Sequence, residues 1–251
     1  MSTKNDYAWE QAFREYNILE NIKQTGQHII EAEELKPFRD ARLMNKVDHR
    51  ESLPQIMKDH GLSILAISNT KGLISKADPF LDIEFYSEKT IQVISPHENR
   101  IAIDHTNITS ESEAIDLCHN CKITTSVFGE ETDLQIRGRT YNDVPSSFRL
   151  DNITYDLDDV QIEADSGYEG DIAIHLIEVK IGFHDNISIR QLLYPHLLWQ
   201  QRRNKEIRSY LLLYYNKIFR FIPYIYEGYG KGYLDQSNEH LFQITTLPIE
   251  Y

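Results

Sequence analysis

Residues 161–182, QIEADSGYEGDIAIHLIEVKIG, decide the fold that this sequence predicts. Apolar and polar residues alternate before the Gly170–Asp171 dipeptide, and a nearly continuous apolar run follows it, which indicates two strands joined by a turn. Apolar residues on both faces of the second strand are typical of a strand in the centre of a sheet. Glu178 and Lys180 share one of these faces, where a charge is unfavourable unless it is paired or binds a metal.

The register of this hairpin determines which acidic residues meet Glu178. A two-residue turn at Gly170 and Asp171 sets Glu163 opposite Glu178 and makes Asp165 its diagonal neighbour on the same face. Three carboxylates and a lysine would then converge. Because close carboxylates repel one another, the cluster predicts a divalent cation, and magnesium prefers oxygen ligands of this kind.

The spacing Asp165-x12-Glu178-x-Lys180 resembles the PD-(D/E)XK nucleases, the superfamily of type II restriction endonucleases, Holliday-junction resolvases and many repair nucleases. The resemblance implies that Asp165 and Glu178 bind Mg²⁺ and that Lys180 positions or activates the attacking water. It also implies that Glu163 is an auxiliary acid for a second metal position. The proline of the superfamily motif is missing, because Ala164 precedes Asp165.

Asp171 gives a competing assignment for the metal ligand. Asp171-x6-Glu178-x-Lys180 is similar to the mismatch-repair nuclease MutH and its relatives. We favour Asp165, since Asp171 falls in the predicted turn. Residues 34–36 contain a second E-x-K without an acidic strand beside it, so the tripeptide alone carries little weight.

Further segments resemble a bacterial group of type II restriction enzymes. They are residues 42–50, 62–65, 162–169, 177–180 and 189–195. Gln191 and Tyr194 are similar to the glutamine–tyrosine motif of RecB-type nucleases, which implies that Gln191 orients the metal or the DNA.

The amino-terminal region predicts a winged-helix-like α+β module. Apolar spacing predicts helices at 9–16, 27–35 and 53–58, and a hairpin follows at 62–75. Three helices and a hairpin are the element order of a winged helix-turn-helix module. Its candidate DNA-binding residues are Arg39, Arg42, Lys46 and Arg50. We place the module at residues 1–105 and the nuclease domain at residues 106–251.

Composition excludes several other classes of protein. Acidic residues outnumber basic ones, 39 to 26, and the net charge of −13 disfavours broad non-specific binding to nucleic acid. The sequence has neither a P-loop nor a G-x-S-x-G motif, which argues against an ATPase and a serine hydrolase. Cys118 and Cys121 are spaced like half of a zinc site, but no second ligand pair follows. Two cysteines, a polar start and short apolar runs predict a cytoplasmic protein.

The sequence therefore predicts an α/β protein with a restriction-endonuclease-like core, in which helices flank a mixed central sheet. We expect a magnesium-dependent type II restriction endonuclease that cuts double-stranded DNA. A homodimer is the default for cutting both strands of a palindromic site, and a cognate DNA methyltransferase is the expected partner in the same system. The alternatives are a structure-specific repair nuclease or resolvase, and a non-catalytic winged-helix DNA-binding regulator.

Overall fold

The computed structural model describes residues 3–85, 89–96, 102–142 and 145–245. Within these ranges the helices are α1 (Lys4–Glu15), α2 (Ile18–Thr25), α3 (Ala32–Leu35), α4 (Ala41–Met44), α5 (Gln55–Asp59), α6 (Glu111–Asn120), α7 (Ile123–Phe128) and α8 (Arg190–Arg202). The strands are β1 (Gln27–Glu31), β2 (Ser63–Ala66), β3 (Lys71–Ser75), β4 (Phe80–Asp82), β5 (Ile91–Ile94), β6 (Thr132–Tyr141), β7 (Ser146–Leu150), β8 (Ile153–Leu157), β9 (Gln161–Gly170), β10 (Ala173–Ile181), β11 (Asn186–Ser188), β12 (Glu206–Tyr215), β13 (Ile218–Gly228), β14 (Lys231–Leu234) and β15 (His240–Ile244).

An eight-stranded mixed sheet forms the centre of the molecule. Its order is β5-β15-β13-β12-β10-β9-β6, and β14 pairs with β13 at the side. Strands β6, β9 and β10 are successive antiparallel neighbours, whereas β12 runs parallel to β10 and is reached through α8. This sheet with flanking helices confirms the mixed α/β class predicted from the sequence.

Strand β10 is buried on both faces, as its apolar sequence predicts. Ile177 and Val179 pack with residues of α6 and α7 on one face. On the other face, Leu211 and Leu213 of the neighbouring β12 pack with Leu192 of α8. The polar residues of β10 therefore lie between two apolar layers.

The hairpin β9–β10 has a different register from the predicted one. Ile174 pairs with Glu169, so the turn is two residues longer than a two-residue loop. The Glu130 carboxylate accepts hydrogen bonds from the backbone N–H groups of Ile172 and Ala173, at 2.8 and 3.1 Å. These bonds satisfy backbone donors that a tight turn would have paired within the hairpin.

The amino-terminal residues form a helical layer on a three-stranded sheet of order β1-β3-β2. The helix predicted at 27–35 is wrong over most of its length, because Gln27–Glu31 is strand β1, paired antiparallel with β3. Gly26 ends α2 in a left-handed conformation (φ +82°) and lets the chain reverse into this strand. The predicted first helix, third helix and hairpin correspond to α1, α5 and β2–β3.

The amino-terminal three-stranded sheet and helix α8 contribute to one hydrophobic core. Leu65 and Ile67 belong to the same buried cluster as Leu192 and Leu193 of α8. Strand β4 pairs with β11, and β5 pairs with β15. These pairings attach β4 and β5 to later strands of the chain, although both precede the boundary predicted between residues 105 and 106. Residues 97–101 lie outside the described residues.

Across the described ranges, every helix is too short or too polar to cross a membrane.

Candidate active site

Glu178 and Asp165 meet where β9 and β10 separate. The ladder ends at the pair Ile177 and Ser166, and the next position along each strand is Glu178 and Asp165. Instead of continuing the ladder, the Asp165 Oδ2 atom accepts a hydrogen bond from the Val179 backbone N–H at 2.7 Å. Glu178 is 7% exposed. The predicted proximity of these two carboxylates is therefore present, through a register shifted by two residues.

The Lys180 ammonium has three acceptors, one for each of its N–H donors. It donates to Glu178 Oε1 at 2.5 Å, to the backbone oxygen of Val179 at 3.0 Å and to Glu111 Oε1 at 3.3 Å. Glu111 is the first residue of α6, so a helix from the opposite face of the sheet reaches the lysine of β10. The ammonium is held between two carboxylates.

Gln191 joins the cluster from the first turn of α8. Its Nε2 atom donates to Glu178 Oε1 at 2.6 Å, the same oxygen that accepts from Lys180. Its Oε1 atom is buried without a hydrogen-bond partner among the described residues. Tyr194, the other residue of the predicted pair, donates instead to the Ala66 backbone oxygen at 2.8 Å and anchors α8 to β2.

Burial controls the electrostatics of this cluster. Desolvation raises the pKa of Glu178 to about 8, and the Asp165 carboxylate adds to the increase although Lys180 opposes it. Desolvation also raises the pKa of Asp165, against the hydrogen bond from Val179. For Lys180, desolvation favours the neutral amine, but Glu178 and Glu111 outweigh it and raise the pKa above its usual value. Lys180 is thus an ammonium at neutral pH.

Two other predicted acids lie outside the hydrogen-bonded cluster, although the Glu163 carboxylate is near enough to add to the increase that burial causes in the pKa of Asp165. Glu163 is exposed and pairs with Arg139 of β6 at 3.1 Å, so the prediction that it lies opposite Glu178 is wrong. Glu163 does not lie opposite Glu178 because the β9–β10 register is shifted by two residues from the predicted one. Asp171 is exposed in the β9–β10 turn, at the opposite end of β10 from Glu178. Seven residues of extended chain span roughly 20 Å, which places Asp171 beyond reach of the cluster.

The oxygen atoms available to bind a metal in this cluster are of the type that magnesium prefers. They are the carboxylates of Asp165 and Glu178 and the unpartnered Oε1 of Gln191. Over the described ranges, no group of three or more His, Cys, Asp or Glu side chains is arranged to hold a metal by itself. Magnesium commonly uses one or two carboxylates and completes its shell with waters and substrate phosphates. These residues fit that mode of binding.

The cysteine pair belongs to α6. Cys118 is fully buried in the core, and Cys121 follows the end of the helix. Burial raises the pKa of the Cys118 thiol well above its usual value, which disfavours the thiolate that zinc binds.

The predicted DNA-binding residues differ in accessibility. Arg50 is held by Asp78 and Asp82 at 3.0 and 2.8 Å and lies over the Phe80 ring, so it stabilises the strand β4 region. Arg42 is 90% exposed and pairs with Asp40 beside it in sequence. The other two are Lys46, exposed and 3.9 Å from Asp48, and Arg39, 3.4 Å from Asn5.

Sequence reasoning missed Glu111 as a member of the site. A signal was present, because Ser110 and Glu113 form a capping box that fixes the start of α6 at Glu111. The sequence could not say that this helix start lies against Lys180, which is 69 residues away along the chain.

A family model matches the part of the chain that contains this site. It is described as a domain of unknown function, DUF6997, and it matches residues 75–235, more than half of the chain.

The chain belongs to the DUF6997 family.

A second model, a domain of unknown function described as DUF6996, matches residues 6–74. The two models meet between residues 74 and 75, at the end of β3. No curated protein and no solved structure matched the chain. We call residues 75–235 the DUF6997 region and residues 6–74 the DUF6996 region.

Proposed function

We propose that this protein is a magnesium-dependent endonuclease that makes site-specific double-strand breaks in DNA, as a type II restriction enzyme does. One observation carries the proposal: Asp165, Glu178, Lys180 and Gln191 meet at one buried point of the sheet. Keeping two carboxylates and an ammonium there is unfavourable for stability, and such groups cluster at functional sites.

The topology around the site supports the same proposal. A helical pair, α6 and α7, precedes three antiparallel strands, β6, β9 and β10, and α8 then leads to the parallel strand β12. This is the mixed sheet flanked by helices that the resemblance to the PD-(D/E)XK superfamily implies. The motif residues lie on the second and third of these strands, and Gln191 lies on the following helix.

Each residue of the site has a distinct part in phosphodiester hydrolysis. Bound magnesium supplies Lewis-acid stabilisation of charge on the scissile phosphate, and Asp165, Glu178 and the Gln191 oxygen would hold it. The positive charge of Lys180, an ammonium at neutral pH, would stabilise negative charge on the phosphate, and Lys180 would orient the attacking water by exchanging one of its three hydrogen bonds to protein for that water. Glu111 helps to hold the ammonium in place, because it offers a second carboxylate at 3.3 Å from Lys180 Nζ.

The partners in this proposal are those of a restriction system. Double-stranded DNA is the substrate, a homodimer would cut both strands, and a cognate methyltransferase would protect the host's sites. Arg42 and Lys46 are the best candidates for contact with DNA phosphates, because both extend into solvent. A phosphate would have to replace Asp40 and Asp48 as their ion-pair partners. A cytoplasmic location belongs to the same proposal.

The test is incubation of the purified protein with unmethylated phage DNA, with Mg²⁺ and with EDTA. Discrete fragments that need Mg²⁺, with 5′-phosphate and 3′-hydroxyl ends, are expected. A preference for branched DNA would indicate a junction or repair nuclease instead. Tight duplex binding without any cleavage would favour the DNA-binding regulator and would contradict the proposal.

A further inference from the structure

The first turn of α8 carries Gln191, yet the DUF6996 region holds the chain that enters this turn. The backbone N–H of Ser188 donates to the Asp48 backbone oxygen at 2.8 Å. The Arg190 Nη2 atom donates to Asp48 Oδ1 at 3.2 Å. One residue of the DUF6996 region thus contacts both the backbone and the side chain of the segment immediately before Gln191.

Neighbouring contacts extend this attachment. The Arg50 backbone N–H donates to the Asn186 side-chain oxygen at 2.7 Å, and the Asn186 amide donates to Glu51 at 3.3 Å. Asn186 itself is buried, with 2% exposure, whereas the Glu51 side chain that accepts from it is 59% exposed. Residues 48–51 therefore bind the segment 186–190 at both of its ends.

The Asp48–Arg190 pair is the part of this contact that side-chain substitution can remove. Both side chains are more than two-thirds buried, and Arg190 Nε is buried without a partner. Among the described residues, Asp48 is the hydrogen-bond partner of the Arg190 guanidinium. Removing the Asp48 charge would leave a partly buried guanidinium unpaired, which favours its movement toward solvent. The backbone of Gln191 is attached to Arg190 and would move with it.

We propose that Asp48 and Arg190 are positioning residues, which fix the first turn of α8 so that the Gln191 amide meets Glu178. The inference rests on the proposed nuclease function. It makes the DUF6996 region a structural part of the DUF6997 active site, in addition to any contact that Arg42 or Lys46 makes with DNA. A side chain that must be placed within a fraction of an ångström is sensitive to such support, since a shift of about 1 Å can lower a rate about 100-fold.

A double-mutant cycle tests the pair in the full chain. The variants are Asp48→Ala, Arg190→Gln and the double substitution, with Arg190→Lys as the conservative replacement. Lys71→Gln is the matched control, because it breaks an exposed ion pair with Glu31 in the same region, away from α8. Two quantities are measured: kcat and KM for cleavage of a defined DNA duplex with Mg²⁺, and amide hydrogen exchange of Leu192 and Leu193, whose N–H groups donate to the Ile189 oxygen in this turn.

The expected result is a fall in kcat of about 10- to 100-fold for Asp48→Ala and Arg190→Gln, with KM unchanged or lower. The double variant should be no worse than either single one, because both remove the same contact. Arg190→Lys should recover part of kcat, and exchange at Leu192 and Leu193 should be faster in both single variants. Additive losses, a change in KM alone, or exchange as slow as in Lys71→Gln would overturn the inference. If the unsubstituted protein does not cut DNA, the proposed function fails, and hydrogen exchange alone then decides whether Asp48 fixes the turn.

Discussion

At the residue scale, Glu178 is the group on which the site depends. Its carboxyl is almost completely buried and has a pKa of about 8, because desolvation disfavours the anion. A buried carboxyl with a raised pKa is unfavourable for stability at alkaline pH, and a bound divalent cation would remove that penalty. The arrangement suits a residue that is selected for function.

The raised pKa predicts how stability changes with pH. In the unfolded chain the Glu178 pKa returns to about 4.5, so the folded state binds the proton more tightly. Its contribution to stability is complete below about pH 4.5 and is lost as the pH rises through 8. Each pKa unit corresponds to about 1.4 kcal/mol, so the loss amounts to a few kcal/mol.

We expect Glu178→Gln to flatten this pH dependence. In EDTA, the free energy of unfolding from urea titrations should fall less between pH 5 and pH 8.5 for Glu178→Gln than for the unsubstituted protein. Added Mg²⁺ should stabilise the unsubstituted protein at pH 8.5 and leave the variant unchanged. Parallel pH profiles for the two proteins would show that Glu178 is not the buried acid described above.

The two aspartates give a direct comparison of the alternative metal ligands. We expect Asp165→Ala to lower the cleavage rate by about 100-fold or more, since it removes a carboxylate next to Glu178. Asp171→Ala removes an exposed turn residue and should leave the rate within a few fold. Rates are measured on one duplex under single-turnover conditions. The reverse order of effects would restore the assignment of Asp171.

At the element scale, the start of α6 matters because it presents Glu111 to Lys180. The Ser110 hydroxyl oxygen accepts a hydrogen bond from the Glu113 backbone N–H at 3.2 Å, and the Glu113 carboxylate accepts one from the Ser110 backbone N–H at 3.1 Å. Ser110→Ala should lower the free energy of unfolding by about 1 kcal/mol. Ser126→Ala, at an exposed interior position of α7, serves as the control and should not destabilise. Equal stability of Ser110→Ala and the unsubstituted protein would contradict the role of this cap.

Several elements were predictable because their signals are local. The capping box of α6, the apolar strand β10 and the hairpin β2–β3 each depend on a few adjacent residues. Strand β1 was not, because apolar residues at 29 and 30 fit a short strand and a helix equally well. Its pairing with β3, about 40 residues later in the chain, makes this segment a strand and not a helix.

The register of β9 and β10 was set by a distant residue. Glu130 lies 42 residues before Ile172 and holds the turn through two backbone N–H groups. No pattern within the hairpin reveals this contact. The sequence therefore predicted Asp165, Glu178 and Lys180 as site residues, but it placed Glu163 opposite Glu178 and missed Glu111.

At the scale of the whole molecule, the DUF6996 and DUF6997 regions share a core. Leu65, Ile67 and Leu73 belong to the cluster that covers α8, and the Tyr194 hydroxyl of α8 donates to the Ala66 backbone oxygen at 2.8 Å. Separating the regions would expose this surface on both. We therefore expect the two regions to unfold together.

The two tryptophans can measure this coupling, because each reports on one region. Trp9 is fully buried in α1, and Trp199 lies on α8. Urea unfolding followed by fluorescence in Trp9→Phe and Trp199→Phe should give single transitions with parallel slopes. Their midpoints should differ only by the effect of each substitution on overall stability, which Trp9→Phe lowers because it leaves the buried Met44 oxygen without its hydrogen bond from Trp9 Nε1. Two well-separated transitions would mean that the regions are independent units.

The central claim is that Lys180 belongs to a magnesium-dependent DNA-cleaving site. Its most direct test is cleavage of unmethylated phage DNA with Mg²⁺ by the unsubstituted protein, Lys180→Ala and Lys205→Ala. Lys205 is the matched control, since it also pairs with a glutamate of the sheet, Glu169, at the far end of β9. We predict discrete fragments from the unsubstituted protein and Lys205→Ala, and none from Lys180→Ala, which should still bind the DNA within a few fold. Cleavage by Lys180→Ala at the unsubstituted rate would contradict the account.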